Sequence, residues 1–253
     1  MKIQNILISQ PQPVDFEKSP YADIKKKHGV NIEFVKFFSI EDVNAIEFRK
    51  FRINILEHNA VIMMSKHAVD HYFRMAKELR VDIPDTMKYF CVNETTALYL
   101  QRYIVYRKRK IFFSKTNINE LVEIIAKHKT EKYLIPTADN NGGIIASLLQ
   151  NVNITVTTAN MFRNVSVDLK NLINIDNYQL IVVFSPSGIN SLLENYPDFN
   201  EKNIEIGALG KNVALSIESR GLTLSFMAPT PECSSITQAI DYFLKKTNKV
   251  CKK

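Results

Sequence analysis

Four stretches of this 253-residue chain occur twice, and their order constrains the fold more than any other feature of the sequence. VIMMSKHAV (61–69) matches IVVFSPSGI (181–189): four apolar residues, a serine, two variable residues, a small residue, then a β-branched one. YFCVNETTALYL (89–100) matches EIGALGKNVALSI (205–217), and FFSKTNINELVEII (112–125) matches SFMAPTPECSSITQAI (225–240). The fourth pair is LIPTADNNGGIIASLLQNVNITV (134–156) and LISQPQPVDFEKSPYADIKKKHGVNIEFV (7–35), so its copies stand at the middle and the start of the chain. Self-similarity of this kind marks repeated supersecondary units. One unit is therefore discontinuous, a β-α-β start completed by three βα pairs at the end. The other is inserted whole between its parts.

Apolar runs and period-2 segments alternate with helical patterns throughout. Strands are predicted at 5–9, 31–37, 60–64, 88–92, 110–113, 133–136, 153–162, 180–184, 204–208 and 222–226. Helices are predicted at 14–27, 66–79, 95–102, 117–128, 143–150, 187–195, 212–220 and 234–246. Strict alternation with short connections implies α/β layers with parallel sheets. The expected architecture is two flavodoxin-like three-layer α/β domains, 1–36 with 166–253, and 39–160. Two extended connections, 34–39 and 157–165, join them. Paired connections would restrict motion to opening and closing of a cleft, with one ligand held at the carboxyl ends of the strands.

Composition removes many chemistries. Only seven glycines are present, where average usage would supply roughly 18. There is no GxGxxG, no GxxxxGK[ST] and no GxSxG, so neither a nucleotide cradle nor a nucleophile elbow is expected. Three cysteines without a CxxC (Cys91, Cys233, Cys251) argue against a disulfide framework or a thiolate zinc site. No apolar run approaches a membrane span, and the N-terminal apolar stretch is too short for a signal peptide. A reduced, cytoplasmic setting is expected.

The net charge of +7 gathers mostly within 38–165, with Arg107, Lys108, Arg109 and Lys110 in succession. A nucleic-acid surface would interleave such residues with aromatics along a groove. Here the run lies between a helix and a short strand and reads as a solvated turn. The excess also suits steering of a small polyanion. His67 and His71 stand four apart on one helix face, but no third metal ligand stands out, and both read as surface histidines. Asp139-Asn140-Asn141-Gly142-Gly143 lacks the spaced carboxylates of a calcium loop. Cys91 is expected in the core and Cys251 in a disordered basic tail.

The C-terminal segments 182–194 (VVFSPSGINSLLE), 205–222 (EIGALGKNVALSIESRGL) and 228–240 (APTPECSSITQAI), with MSKHAV (64–69) and NETTA (93–97), resemble the uroporphyrinogen-III synthases of tetrapyrrole biosynthesis. The resemblance spans essentially the whole chain, including the discontinuous order of the halves. It implies a cofactor-free, metal-free cyclase that closes hydroxymethylbilane, a linear tetrapyrrole with eight carboxylates, while inverting ring D. It implies a monomer with no nucleic-acid or membrane partner. The alternative is a weakly active or non-catalytic tetrapyrrole-binding relative with the same hinged cleft.

The same resemblance implies that catalysis comes from folding the substrate against amides and small hydroxyls, with no dominant acid or base. The implied substrate contacts are Ser65, Lys66, Thr95, Thr96, Phe162, Arg163, Ser185, Ser187, Gly188, Lys211 and Asn212. Helix starts near these residues offer free N–H groups and a positive dipole end to carboxylates. Ser and Thr at such places also cap helices regardless of any ligand. Phe162 occupies the family's tyrosine position and cannot donate a proton. Gly210-Lys211-Asn212-Val213-Ala214 replaces a Gly-Pro-Thr-Thr-Ala turn, exchanging two hydroxyls for a charge at Lys211.

Overall fold

The computed structural model describes residues 2–138, 143–199 and 204–250. Residues 139–142 and Cys251, on which two of the sequence expectations fall, lie outside the described residues. The chain divides into two compact units, Met1–Ser39 with Val165–Lys253, and Ile40–Asn164.

In unit 1, β1 (Asn5–Ile8), β2 (Asn31–Phe34), β10 (Leu180–Val183), β11 (Glu205–Leu209) and β12 (Phe226–Ala228) form one parallel sheet. Its order is β2-β1-β10-β11-β12. The central strands read NILI and LIVV because both faces are covered, as parallel sheets require. Ile6, Ile8, Leu180 and Val182 pack against α1 (Pro20–His28) and α9 (Ile236–Val250). Leu7, Ile181 and Val183 pack on the other face against α7 (Pro186–Asn195) and α8 (Lys211–Glu218).

Unit 2 repeats the plan with β8 (Val156–Asn160), β7 (Tyr133–Thr137), β4 (Ala60–Met63), β5 (Lys88–Cys91) and β6 (Ile111–Phe113), in that spatial order and all parallel. Helices α3 (Lys66–Leu79) and α4 (Glu94–Tyr99) cover one face, α5 (Ile118–Ala126) and α6 (Gly143–Asn151) the other. Counted from β1 in unit 1 and from β7 in unit 2, both sheets run 2-1-3-4-5, the flavodoxin-like order.

The duplication extends to single hydrogen bonds. Asn54 and Asn174 each cap a 3-10 turn, Ile55–Glu57 and Ile175–Asn177, with near-identical backbone angles. Asn59 Oδ1 accepts the Lys132 N–H at 2.7 Å, as Gln179 Oε1 accepts that of Asn5 at 3.0 Å. Ser65 Oγ and Ser185 Oγ each accept an amide three residues on, both at 3.1 Å.

Several elements differ from their predicted bounds. The predicted helix at 14–27 begins only at Pro20, whose missing N–H and clash with the preceding residue suit a first position but not an interior one. The predicted strand at 31–37 is shorter, β2 ending at Phe34: Val35 makes the last bond to Ile8 O, and the chain then departs and begins a new strand, β3 (Phe38–Asp42), beyond the predicted span. Likewise 153–162 divides into β8 and β9 (Phe162–Ser166). β3 and β9 form a two-stranded sheet of the connecting segments. The Val167 amide bonds Phe37 O in unit 1, and the Val43 amide bonds Met161 O in unit 2. A short helix, α2 (Ala45–Lys50), capped by Asn44, has no counterpart among the predictions.

Candidate functional site

The candidate residues fall at the carboxyl ends of the two sheets and on β9. In unit 1, β10 runs into Ser185, whose hydroxyl caps α7, with Pro186 at the first helical position. Ser187 lies inside the first turn and does not cap. Gly188 is buried: a Cβ there would stand 3.2 Å from Val183 Cγ1 and 3.5 Å from Ser9 Oγ. Its smallness thus serves helix-to-strand packing, and the approach expected for a ligand is filled by protein. Gly210 precedes α8 at φ +87°, a conformation that side chains resist. Its amide bonds Ala228 O at 2.7 Å, and it has no side chain to cap the first turn. Lys211 and Asn212 open that turn and are exposed.

In unit 2, Ser65 caps α3 and Lys66 follows it, exposed, with its ammonium 5.4 Å from the Tyr99 ring centroid. The next start is capped by Asn93, whose Oδ1 accepts the Thr96 amide at 2.9 Å. Thr95 is exposed inside the helix and Thr96 is buried. Of the three hydroxyl residues expected as caps, Ser65 performs that role, while Asn93 and Ser185 replace Thr95 and Ser187.

Three of the four helix starts share an electrostatic pattern, whereas α4 carries Glu94 in its first turn. No acidic residue stands in the first turn of α3, α7 or α8, where Asp and Glu are normally favoured. Two of them begin with lysine instead. Such a start is unfavourable for the helix alone and leaves the positive dipole end for an anion.

Phe162 is 8 % exposed and belongs to the unit 2 core, its ring stacked on His71. Arg163 beside it is ion-paired with Glu47 on α2. The reading of His71 as a surface residue is corrected: only 12 % of its side chain is exposed. Burial, then the neighbouring Arg74 cation, holds its pKa below the ordinary value. Arg74 donates to the carbonyls of Val43 (3.0 Å) and Met161 (2.6 Å), fastening the ends of both connections in unit 2. His67 is exposed, as expected.

Ser9 is a residue the sequence reading passes over. It is buried, and its Oγ accepts the Phe184 amide at 3.0 Å beneath the Ser185 turn. Its position just past β1 was the available signal. Cys91 is fully buried, with its thiol pushed up to about 12, and is inert core. No group of side chains able to hold a metal occurs among the described residues. Nor is any described helix long and apolar enough to cross a membrane.

Two flavodoxin-like units, one inserted in the other, define a duplicated α/β protein with hydroxyls, amides and lysines at its strand ends. The chain belongs to the uroporphyrinogen-III synthase family, whose description, Uroporphyrinogen-III synthase HemD, matches residues 19–238. It is accordingly a cyclising lyase of the tetrapyrrole route to haem.

Solved structures share its fold. One is a mutant uroporphyrinogen III synthase from the extremely thermophilic bacterium Thermus thermophilus, 10% identical, covering 98% of this chain and 99% of that one, at a TM-score of 0.61. Another is the uroporphyrinogen-III synthetase of Helicobacter pylori 26695, 14% identical, covering 96% and 100%, at 0.57. No curated protein matches the chain.

Proposed function

We propose that the chain converts hydroxymethylbilane to uroporphyrinogen III by gripping substrate carboxylates at the strand ends of each unit. The observation that carries this is the pair of acid-free, lysine-led helix starts at Lys66 and Lys211. A serine cap also need not compete with a ligand. Ser65 and Ser185 accept a backbone amide at Oγ, and each hydroxyl retains its proton to donate to a carboxylate. Capping and binding are then one arrangement. Thr95, Ser187 and Asn212 add polar groups beside these starts, and Thr96 and Gly188 support them from within.

Holding several carboxylates fixes the flexible bilane in the folded shape that ring closure needs, an orientation effect. Phe162 supplies no proton, so its part is to shape the start of β9, and Arg163 contributes charge once released from Glu47. The chain works as a monomer in the cytoplasm and takes no nucleic acid.

The test is to supply fresh hydroxymethylbilane and separate the uroporphyrinogen isomers. Type III product in proportion to protein supports the reading. Type I alone at every protein concentration would overturn it in favour of a non-catalytic tetrapyrrole-binding relative.

A further inference from the structure

At the amino ends of the unit 2 strands, opposite to Ser65 and Thr95, a cavity of about 480 Å³ opens between the end of α3, the segment 81–87 and the segment 103–107. That volume falls within the range of small-molecule sites. Phe73, Met87, Tyr89, Tyr103 and Ile104 supply its apolar walls. The Tyr103 wall is fixed: its ring stacks on Phe73 at 4.6 Å with planes 6° apart, and its hydroxyl donates to Asp70 Oδ1 at 2.5 Å.

Tyr89 gives the cavity a polar point. It is 3% exposed and lines the cavity, yet its hydroxyl bonds no described residue. Burial raises its pKa, so it remains a donor throughout the physiological range. At the mouth, Arg107 is committed to Asp85 at 2.9 Å, and the Lys110 ammonium rests on the Asp85 carbonyl. Lys77 and Lys110 have no carboxylate partner among the described residues, nor has Asp82 a cation. Cations exceed carboxylates around the mouth.

We propose that this cavity binds a one- or two-ring aromatic carboxylate. The ring lies on the Phe73–Tyr103 wall, an acceptor on the ligand takes the Tyr89 hydroxyl, and the carboxylate meets Lys77 and Lys110. The basic run at 107–110 then has a use beyond solvation, as half of a binding mouth. The proposal is independent of the strand-end carboxylate sites.

Titration of the full chain with 2-naphthoate and with neutral 2-naphthalenemethanol tests it, read by calorimetry and thermal shift. Naphthoate is expected to bind saturably and about tenfold tighter than the alcohol, or about 1.4 kcal/mol. Combined Lys77→Ala and Lys110→Ala should bring the acid down to the alcohol's affinity and leave the alcohol unchanged. Val105→Asp, at a 77% exposed position lining the mouth, should weaken the acid alone. Tyr89→Phe should weaken both. Equal affinity for acid and alcohol, absence of saturation, or indifference to the lysine and Val105 changes would each overturn the proposal.

Discussion

The imidazole of His71 lies face to face with the ring of Phe162, centroids 4.7 Å apart and planes inclined by 17°. The His71 Nδ1 faces both the Arg74 Nε–H at 3.3 Å and Asp42 Oδ1 at 3.1 Å. Nδ1 accepts from the first when it carries no hydrogen and donates to the second when it carries one, and a neutral ring can do either according to its tautomer. His67 and Asp70 add smaller opposing effects, and burial decides for the neutral ring.

Stability should therefore rise with pH through this histidine. The unfolded ring titrates near 6.5 and the folded one lower, so between those values the unfolded chain binds a proton that the native one refuses. The contribution is complete above about 6.5 and declines as pH falls toward the folded value. Melting temperatures at pH 5.5 and 7.5 should differ less in His71→Gln than in the parent. An equal difference in both proteins would remove His71 from the account.

Gly207 on β11 lies under Phe226 of the neighbouring strand, and a Cβ there would come within 2.4 Å of the ring. Gly207→Ala should cost about 1–3 kcal/mol by overpacking. Combined with Phe226→Leu, the alanine should cost less than it does alone. Chemical denaturation of the four proteins in the cycle measures that coupling.

Ser65→Ala and Ser185→Ala should each lower stability by about 1 kcal/mol through loss of a cap. Their effects should add, because the serines belong to different units. Thr95→Ala, at an exposed non-cap position, should stay within about 0.5 kcal/mol while raising the KM for hydroxymethylbilane. A stability loss at Thr95 as large as at Ser65 would return it to a structural role.

Asp241 on α9 receives Lys27 (3.0 Å), His28 (2.7 Å) and Lys245 (2.7 Å). Burial opposes its charge, but these hydrogen bonds outweigh it and hold the carboxyl well below the usual range. The stabilisation is present above the ordinary aspartate value of about 3.9 and is lost as pH falls below it. Asp241→Asn should cost about 1 kcal/mol or less near neutral pH, because the carboxylate is partly exposed. The deficit should shrink in high salt.

What the sequence made legible was whatever the chain states locally and then repeats. Helix α3 occupies the predicted span Lys66–Leu79, with Ser65 written before it and no Gly or Pro inside. Pro20 marked the start of α1 equally plainly, and only the apolar Val14 and Phe16 drew the prediction earlier. The Ile-Asn-Ile at 53–55 and 173–175 was a fifth copy of the repeat, visible but too short to weigh without the 3-10 turns it makes. The separation of β2 from β3 was illegible, because Val35, Phe37 and Phe38 around Lys36 read like a continuing strand. Of the candidate site, the serine starts were legible and the fate of Phe162 was not. Its burial depends on His71, 91 positions away, and no local pattern encodes that stacking.

The insertion also sets an order of birth. Every strand of the unit 2 sheet lies within residues 40–164, so that sheet can be complete once Asn164 has emerged from a ribosome. Unit 1 is different: Ile6 must wait for Leu180, its partner across β1 and β10. Domains fold as units while synthesis proceeds from the N-terminus, and an open, apolar strand edge is a template for wrong pairing. The β1–β2 segment thus spends the whole synthesis of unit 2 as an unfinished two-strand fragment. The exposed run from Lys25 to Lys27 beside it gives copies of such a fragment like charges, which repel.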